Sequence, residues 1–554
     1  MAITLIGGTE VEEDKLIRKY VLVNATEHNG IAQEKSVLGK LLADVPELRD
    51  KALQLMPEIQ KNVEEVNRMD INRQKAELDS LGGYKPAVRI ERKGLPELDI
   101  ERRGFVVRFA PNPDGALHLG NARPAILNDE YAKKYKGKLI LRFDDTDPKI
   151  KVPEKRFYGW IREDLKWLKI KVHKEITASR RLNIYYKYAD LLVKKDAAYV
   201  CTCGEEWKKL RDAGRSCPCR SAPNQMRRWK AMFKKYKEGE AVLRIKTDLD
   251  SKNPAVRDWP AMRIVDKPNH PFSKKHVWPL YNFASAIDDY LENVTHIFRG
   301  QEHSTNETKQ RFLYQHMKWE YPSVITLGRF SLSDSVLSKS VIREGIEKGI
   351  YSGWDDLRLG TLRSLRRRGF QPESIRQIIV DVGPKPSDIT ISSENLAAYN
   401  RKIIDKHANR YFFIQNPARI EVQGIKIKTA KIPLHPDHKR GYRSFSLSKT
   451  FFVNSDDFDR YKGLEVRLKD LCNVKLGKTA AFSGFELKSI PKIQWLPAKY
   501  LALRIFMQGR ERKGYGDINM RKEKIGSIVQ LEQFGFVRIE NISKNNIIAV
   551  FGHE

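Results

Sequence analysis

Apolar residues recur every three to four positions through much of the first hundred residues. Segments such as SVLGKLLADVPELRDKALQLM and IQKNVEEVNRM have this spacing, which is typical of helices that bury one face. The pattern therefore predicts a helical appendage over residues 1–100. The stretch around Leu81, Gly82, Gly83 and Tyr84 interrupts it and is interpreted as a linker, because glycine breaks helical patterns.

A different pattern starts at Gly104. GFVVRF combines branched and aromatic residues and indicates a strand, a Pro/Gly loop follows, HLGNARPAILNDEYAKKY has a helical pattern, and GKLILRF indicates a second strand. A strand, a helix and a strand within about 40 residues form a βαβ unit and hence a parallel sheet. We therefore predict an α/β domain over residues 101–200 that resumes at 276–344.

Other patterns interrupt and follow this predicted domain. Residues 201–275 carry two cysteine pairs, a basic helical segment and short strand-like runs such as AVLRIK, and are predicted to form an insertion. Residues 345–395 are helical in pattern and rich in arginine. Residues 396–554 contain short β-like runs broken by Gly and Pro, as in ARIEVQGIKIKTAKIPL, which predicts an all-β, barrel-like region. The expected fold class is multidomain.

A large positive charge adds to this picture. The chain of 554 residues has 102 Lys or Arg and 70 Asp or Glu, a formal net charge of +32. Such an excess favours a nucleic-acid partner, because each neutralised phosphate releases counterions. Residues 401–450 and the run Arg366, Arg367 and Arg368 are the expected RNA-facing positions. The alternative for these arginines is that they cap their own helix and pair with nearby acids.

Cysteine use and hydropathy exclude several other classes. The chain has only five Cys, four of them clustered, which argues against a disulfide scaffold. No apolar run approaches the roughly 20 residues that a membrane-spanning helix needs. The first residues lack the basic start and apolar core of a secretory signal. We therefore expect a cytoplasmic protein without a membrane partner.

Three short segments of the predicted α/β domain carry candidate chemistry. In RFAPNPDGALHLGNAR a helix begins near His118, and the free N–H groups of a helix start suit phosphate. LRFDDTDP places Asp144 at the end of the second strand, where open α/β sheets bind ligands. SVLSKS offers Lys339 between the hydroxyls of Ser338 and Ser340, a combination that can hold a triphosphate. Each segment alone is unspecific.

Five segments in a fixed order together resemble one family. RFAPNPDGALHLG and VLSKS resemble the HIGH and KMSKS regions of the glutamyl- and glutaminyl-tRNA synthetases. LRFDDTDP, LYNFASAIDDYLENVTHIFRGQEH and YSGWDDLRLGTLRSLRRRGF resemble further segments of that family. The resemblance runs from about Arg102 to Phe412, and the helical appendage and β-rich tail resemble the archaeal and eukaryotic type. Five ordered segments are far more specific than either signature motif alone.

The resemblance implies a class I aminoacyl-tRNA synthetase. It implies a Rossmann-like catalytic domain, an acceptor-end-binding domain at residues 201–275, a helical connecting domain at 345–395 and β-barrels at 396–554 that bind the anticodon. It also implies ATP with Mg²⁺, glutamate as the amino acid, tRNA(Glu) as the partner and a monomer. Whether tRNA(Gln) is also charged with glutamate is left open by the sequence.

The same resemblance assigns residues to ATP. The expected ATP-binding residues come from both signature regions: His118, Gly120, Asn121, Ser338, Lys339 and Ser340. Among these, His118 and Lys339 are the expected catalytic residues. Two positions depart from the signatures, because Asn121 replaces the final histidine and Val336 stands where the second signature begins with lysine. Asparagine cannot carry charge, so a weaker ATP contact is expected at Asn121.

The choice of amino acid depends on one group, because glutamate has a carboxylate where glutamine has an amide. Arginine binds a carboxylate through two parallel charged hydrogen bonds. The resemblance places Arg108 and Arg299 at the substrate side chain, Tyr281 in the side-chain pocket and Asp144 at the ammonium group. Ser285 stands where the glutamine enzymes have histidine. Arg299 and Ser285 therefore favour glutamate.

Two alternatives remain. A glutaminyl-tRNA synthetase is separated from the leading hypothesis by Arg299 and Ser285. A non-catalytic tRNA-binding paralogue would be expected to lose His118, Asp144 or Lys339, and all three are present.

Four cysteines of the predicted insertion form two Cys-x-Cys pairs, Cys201 with Cys203 and Cys217 with Cys219. Four thiolates suit tetrahedral zinc, and a metal would stabilise a segment too short to have its own core. The usual spacing is Cys-x-x-Cys, however, and the intervening GEEWKKLRDAGRS could fold without metal as a helix and a turn. The sequence favours structural zinc and leaves the metal-free alternative open.

Overall fold

The computed structural model covers two compact units, Met1–Arg92 and Lys93–Glu554. It describes residues 10–28, 30–45, 48, 51–84, 94–100 and 104–554. The first nine residues of the predicted appendage and Arg102, where the family resemblance starts, lie outside the described residues. None of the helices in the described ranges is long and apolar enough to cross a membrane.

The described part of the first unit is helical, as the apolar spacing predicts. Its helices are α1 (Glu10–Glu27), α2 (Glu34–Asp44), α3 (Ala52–Asn67) and α4 (Ile71–Ser80). Arg18 of α1 ties the helices together, because it forms ion pairs with Glu65 at 2.9 Å and Glu77 at 2.8 Å. The segment interpreted as a linker is part of this unit through Tyr84, whose hydroxyl donates to Asp44 Oδ2 at 2.9 Å.

The larger unit begins with the predicted βαβ pattern. Its first elements are β1 (Val106–Phe109), α5 (Leu119–Lys134), β2 (Lys138–Phe143), α6 (Lys155–Trp167), β3 (Lys174–Thr177) and α7 (Leu182–Lys194). Strands β1 and β2 pair in parallel, from Val106 opposite Lys138 to Phe109 opposite Leu141. Gly137 permits the tight turn between α5 and β2, because a Cβ there would lie 2.1 Å from the carbonyl oxygen of Phe105, the residue before β1.

A four-stranded antiparallel sheet interrupts this pattern. The elements are β4 (Ala198–Cys201), α8 (Glu206–Asp212), α9 (Gln225–Ala231), β5 (Val242–Ile245), β6 (Pro260–Ile264) and β7 (Val277–Pro279). Trp229, Trp259 and Trp278 of this inserted region are buried and share one apolar cluster with residues of α7 such as Leu182 and Tyr185. The insertion therefore packs against the α/β domain through a shared apolar core.

The parallel sheet then resumes with α10 (Tyr281–Leu291), β8 (His296–Gly300), α11 (Ser304–Met317) and β9 (Ser323–Leu327). All five strands are parallel, in the order β3-β2-β1-β8-β9. The winding direction reverses between β1 and β8, and ligands of such sheets bind at the carboxyl ends of the strands at that point. The Rossmann-like architecture is confirmed.

A mostly helical region follows the parallel sheet. Its elements are β10 (Phe330–Leu332), α12 (Lys339–Glu347), α13 (Leu362–Arg367), α14 (Pro372–Val382), β11 (Ile389–Ile391) and α15 (Ser393–Ile404). Arg366 of α13 is exposed. Arg367 is held by Glu540 at 2.7 Å, and Arg368 is buried and donates to the carbonyl oxygen of Gly552 at 3.0 Å. The expectation that all three arginines face RNA is wrong, because packing against the last strands engages two of them.

The end of the chain is built from strands. These are β12 (Asn409–Tyr411), β13 (Phe413–Ile414), β14 (Pro417–Gln423), β15 (Thr429–Pro433), β16 (Tyr442–Ser446), β17 (Thr450–Asn454), then α16 (Ser455–Tyr461), β18 (Glu465–Leu468), β19 (Cys472–Lys475), β20 (Thr479–Gly484), β21 (Lys492–Ile493), β22 (Leu496–Pro497), β23 (Leu501–Met507), β24 (Arg510–Gly516), β25 (Ile528–Leu531), β26 (Gly535–Ile542) and β27 (Asn546–His553). They form two seven-stranded sheets and the hairpin β15–β16. Burial alternates along β14, β15 and β16, so that one face of each strand contributes to a core. The barrel-like all-β region is confirmed.

Candidate active site

A cavity of about 780 Å³ opens at the carboxyl ends of β1 and β8. Small-molecule sites typically measure roughly 300–1,000 Å³. The walls come from the loop after β1, the start of α5, the end of β8 and the loop before α12. The following residues singled out from the sequence line it: Arg108, His118, Gly120, Asn121, Tyr281, Arg299, Ser338 and Lys339.

The loop after β1 delivers His118 to the start of α5. Its backbone N–H donates to Asn121 Oδ1 at 3.2 Å, so Asn121 helps to cap the helix on whose first turn it lies. Burial, and to a smaller extent the charge of Lys339, lowers the pKa of His118 to about 4, so the ring is neutral at pH 7. Within the described ranges, His118 Nδ1 is buried without a hydrogen-bond partner. Such an atom suits a polar ligand.

Gly120 suits the close approach of its neighbours. A Cβ at this position would lie 3.0 Å from the His118 ring and 3.0 Å from the carbonyl oxygen of Phe330. The absence of a side chain therefore lets the first turn of α5 open directly onto the cavity. A phosphate placed there would meet the N–H groups of the helix start.

Lys339 is the first residue of α12, and its side chain contacts the loop after β1. Its Nζ donates to Asp114 Oδ1 at 2.7 Å and to the carbonyl oxygen of Asn112 at 2.9 Å. Arg343, one turn later, donates to the carbonyl oxygen of Asp114 and pairs with Glu154 at 2.8 Å. Burial is the main cause that lowers the pKa of Lys339, and Asp114 opposes it. A phosphate entering the cavity would compete with Asp114 for the ammonium group.

Two buried guanidinium groups line the cavity elsewhere. Arg108 in β1 is 5% exposed, and its Nε donates to Asp289 Oδ1 at 3.0 Å. Arg299 in β8 is also 5% exposed, and its Nη2 donates to Gln310 Oε1 at 2.9 Å. In the part of the chain that the structure describes, Arg299 forms no ion pair, and its Nε and Nη1 have no hydrogen-bond partner. A buried cation without an acidic partner favours an anionic ligand.

Asp144 lies behind the wall of the cavity and is not among its lining residues. Its Oδ1 is 3.1 Å from Arg142 Nη1, and its backbone N–H donates to the carbonyl oxygen of Pro111, a lining residue, at 3.0 Å. Burial raises the pKa of Asp144, and the charge of Arg142 opposes this. The carboxylate is thus close to the cavity but engaged by an arginine.

Two further expected residues do not line the cavity. Ser285 is buried in α10, and its Oγ has no partner among the described residues. Ser340 contacts Ser338, with 3.0 Å between the two hydroxyl oxygens. Tyr281 does line the cavity, and its ring centre is 6.0 Å from that of His303.

Several residues of the site were not singled out from the sequence. Asp114, Asp289 and Gln310 contact the lysine and the two arginines described above. A sequence signal exists for Asp289, because the acidic pair in AIDDYL lies on a mostly apolar helix. Gln310 has none, because polar residues occur all along α11.

The four clustered cysteines meet in the insertion. Their Sγ atoms all lie within 4.8 Å of one another, with Cys201 and Cys217 at 3.9 Å and Cys203 and Cys219 at 3.6 Å. Zn–S bonds of about 2.3 Å in a tetrahedron require sulfur atoms about 3.8 Å apart. Arg228 Nη2 approaches Cys219 Sγ to 3.2 Å, and a hydrogen bond with Cys201 is the main cause that lowers the pKa of Cys217 to about 5. The donor set therefore fits zinc.

Comparisons with known proteins agree with the architecture. A family model described as tRNA synthetases class I (E and Q), catalytic domain, matches residues 105–406, and the anti-codon binding domain model of the same family matches residues 408–487. The chain is 52% identical to a glutamate--tRNA ligase of Pyrococcus furiosus, with 98% of this chain and 100% of the relative covered. Identity to the glutamate--tRNA ligase of Thermococcus onnurineus is 50%, again with 98% of this chain and 100% of the relative covered. The resemblance drawn from the five sequence segments is confirmed, and the chain belongs to the class I tRNA synthetases of the E and Q family.

Proposed function

We propose that this chain ligates L-glutamate to tRNA in an ATP-dependent reaction through a glutamyl-adenylate. Family membership supports the reaction, and the two relatives, each of which covers 98% of the chain, carry the name glutamate--tRNA ligase. One observation carries the choice of amino acid. Arg299 is a buried guanidinium that lines the same cavity as Arg108, and among the described residues it has no acidic partner. A side-chain carboxylate would complete its hydrogen bonds, whereas an amide would leave its charge unbalanced.

In the first step an oxygen of the glutamate α-carboxylate attacks the α-phosphorus of ATP, and the bond to the β-phosphate breaks to release pyrophosphate. Lys339 stabilises the charge that develops on the leaving group. His118 and the N–H groups at the start of α5 hold the phosphate oxygens. Catalysis is positioning and charge stabilisation, without a protein nucleophile.

Mg²⁺ enters with ATP in this proposal. Asp114 and Glu302 are carboxylates in the cavity lining, and Mg²⁺ at nucleotide sites is usually held by one or two carboxylates together with phosphate oxygens. These two residues are the ones that would hold it, and the ion would neutralise phosphate charge. Asp114 would then exchange its contact with Lys339 for the ion.

Substrate contacts follow from the same cavity. Arg299 binds the side-chain carboxylate of glutamate. Arg108, whose charge Asp289 largely balances, and Tyr281 line the space beside it. The family resemblance, and not the cavity lining, assigns Asp144 to the ammonium group, which would be accepted by the carboxylate oxygen that Arg142 does not hold. In the second step a ribose hydroxyl of the terminal adenosine of tRNA attacks the adenylate carbonyl, and AMP leaves.

The remaining regions hold the tRNA in this proposal. The insertion with β4–β7 binds the acceptor end, and the β-rich region binds the anticodon. The support is charge, because the hairpin β15–β16 and its flanks carry a group of exposed cations: Lys426, Lys428, Lys431, Lys439 and Arg440. Such cations bind the phosphate backbone of RNA.

The proposal also places the chain in the cytoplasm as a monomer. None of the five cysteines, all of which the structure describes, forms a disulfide, as is usual in a reducing compartment. The cavity, the insertion and the β-rich region that the proposed reaction uses belong to one chain.

The proposed function is tested by aminoacylation with glutamate and with glutamine, each on tRNA(Glu) and on tRNA(Gln). We expect glutamate to be transferred to tRNA(Glu) and glutamine to neither tRNA, because only a carboxylate balances Arg299. The arm with glutamate and tRNA(Gln) measures whether the enzyme also charges that tRNA. Efficient transfer of glutamine would identify a glutaminyl enzyme, and no transfer in any arm would identify a tRNA-binding paralogue.

We further propose that Cys201, Cys203, Cys217 and Cys219 bind one structural zinc ion. Protein purified without chelators is expected to contain about one zinc per chain, measured by elemental analysis, because the four sulfur atoms lie within 4.8 Å of one another. The double substitution Cys201→Ser/Cys217→Ser should remove the metal. The matched control is Cys472→Ser in β19, outside the cluster, which should retain it. Protein without metal whose four thiols react freely in the native state would contradict the site.

A further inference from the structure

A neutral side chain holds Arg299 from behind the cavity wall. Arg299 Nη2 donates to Gln310 Oε1 at 2.9 Å, and the Tyr321 hydroxyl donates to the same oxygen at 2.8 Å. On the other side of the amide, Gln310 Nε2 donates to the carbonyl oxygen of Asn282 at 3.4 Å. These contacts determine which end of the amide faces the guanidinium, because the reversed amide would place N–H groups against N–H groups.

Two other buried arginines near the cavity are held by carboxylates, whereas a third, Arg123, is held by the backbone carbonyl oxygens of Gly328, Gly383 and Lys385. Arg108 pairs with Asp289 at 3.0 Å, and Arg142 pairs with Asp288 at 2.7 Å. A guanidinium that is paired with a buried carboxylate presents little net charge to a third group, whereas one held by an amide keeps its full charge. Gln310 is itself fully buried, so solvent does not screen its contact with Arg299.

We propose that Gln310 determines amino-acid specificity by acting through Arg299. It orients the guanidinium without neutralising it, so the positive charge remains available to the side-chain carboxylate of glutamate. A carboxylate in the same place would accept the same two hydrogen bonds and cancel that charge. Gln310 is thus a positioning residue, and its role rests on the proposed function, in which Arg299 binds the substrate side chain.

The substitution Gln310→Glu tests this with almost no change in shape. The kcat/KM for glutamate on tRNA(Glu) is expected to fall by roughly ten-fold or more, because an ion pair would replace the charge that the substrate needs. The fall should come mainly from KM, since the lost contact binds ground state and transition state alike. Glutamine, measured as substrate and as competitive inhibitor, should lose far less, so the ratio of the two substrates shifts towards glutamine.

The matched control is Gln310→Met, which keeps the volume but has neither the acceptor oxygen nor a charge. Arg299 stays positive in that variant, so both substrates should weaken by similar factors and their ratio should stay within about three-fold of wild type. If the Gln310→Glu chain does not fold, the substrate ratio of Gln310→Met still tests the inference. Loss of the preference for glutamate in it would contradict a role based on charge.

Two results would overturn the inference. One is an unchanged substrate ratio in folded Gln310→Glu protein, and the other is an equal change of the ratio in both variants, which would indicate packing alone. Arg299→Leu separates this inference from the proposed function. If that variant loses the preference for glutamate while Gln310→Glu keeps it, only Gln310 is misassigned. If Arg299→Leu also keeps it, the assignment of the pocket is wrong and the inference fails with it.

Discussion

Replacing Lys339 with alanine is expected to slow the formation of glutamyl-adenylate by about two orders of magnitude or more, the scale of one transition-state charge contact. In the structure this ammonium group reaches across from α12 to the loop after β1, where it bonds to Asp114 and Asn112. It therefore already lines the cavity together with His118, the residue that precedes α5, where the proposed reaction places the phosphates. Its removal would leave the charge of the departing pyrophosphate without its principal cation.

The measurement is ATP–pyrophosphate exchange in the presence of tRNA(Glu), together with tRNA binding by filter retention. Affinity for tRNA should barely change, because Lys339 is directed into the cavity. Lys348→Ala is the matched control, since Lys348 follows the same helix, is exposed and pairs with Glu344. It should leave both measurements unchanged. If the rate of ATP–pyrophosphate exchange by Lys339→Ala stays within about ten-fold of wild type, Lys339 is not a catalytic residue.

Replacing Arg299 with leucine is expected to reduce kcat/KM for glutamate by about 2–3 kcal/mol, or about 30- to 150-fold. The reason is that Nε and Nη1 of this buried group lack partners within the described ranges and are available to a carboxylate. The kcat/KM for glutamine should fall less, because a neutral amide is stabilised less than a carboxylate by a nearby positive charge. Aminoacylation of tRNA(Glu) at varied glutamate and glutamine concentrations measures both effects.

Arg299→Lys is the conservative comparison. It keeps the charge but cannot form two parallel hydrogen bonds, so it should recover part of the lost glutamate activity. Thermal unfolding of both variants must accompany the kinetics, because either substitution alters the contact with buried Gln310. A folded Arg299→Leu enzyme that keeps wild-type kcat/KM for glutamate would show that this guanidinium does not bind the substrate.

Local patterns in the sequence determined the fold class and the family. GFVVRF and GKLILRF became β1 and β2, and HLGNARPAILNDEYAKK became α5, because the periods of strands and helices are visible within one short segment. The signature segments are also continuous, so His118 and Lys339 could be recognised without any knowledge of the tertiary structure. The spacing of the two cysteine pairs likewise indicated a metal site without establishing its geometry.

The tertiary structure alone decided which side chains meet. Lys339 pairs with Asp114 across 225 positions and Arg108 with Asp289 across 181, and nothing in the local pattern links them. The same holds for Arg368, whose apparent exposure in an arginine-rich run is reversed by packing against β27. Such contacts depend on the directions in which side chains leave elements that are distant in the chain. Those directions are set only when the elements pack, because burial then leads most polar groups to find a partner.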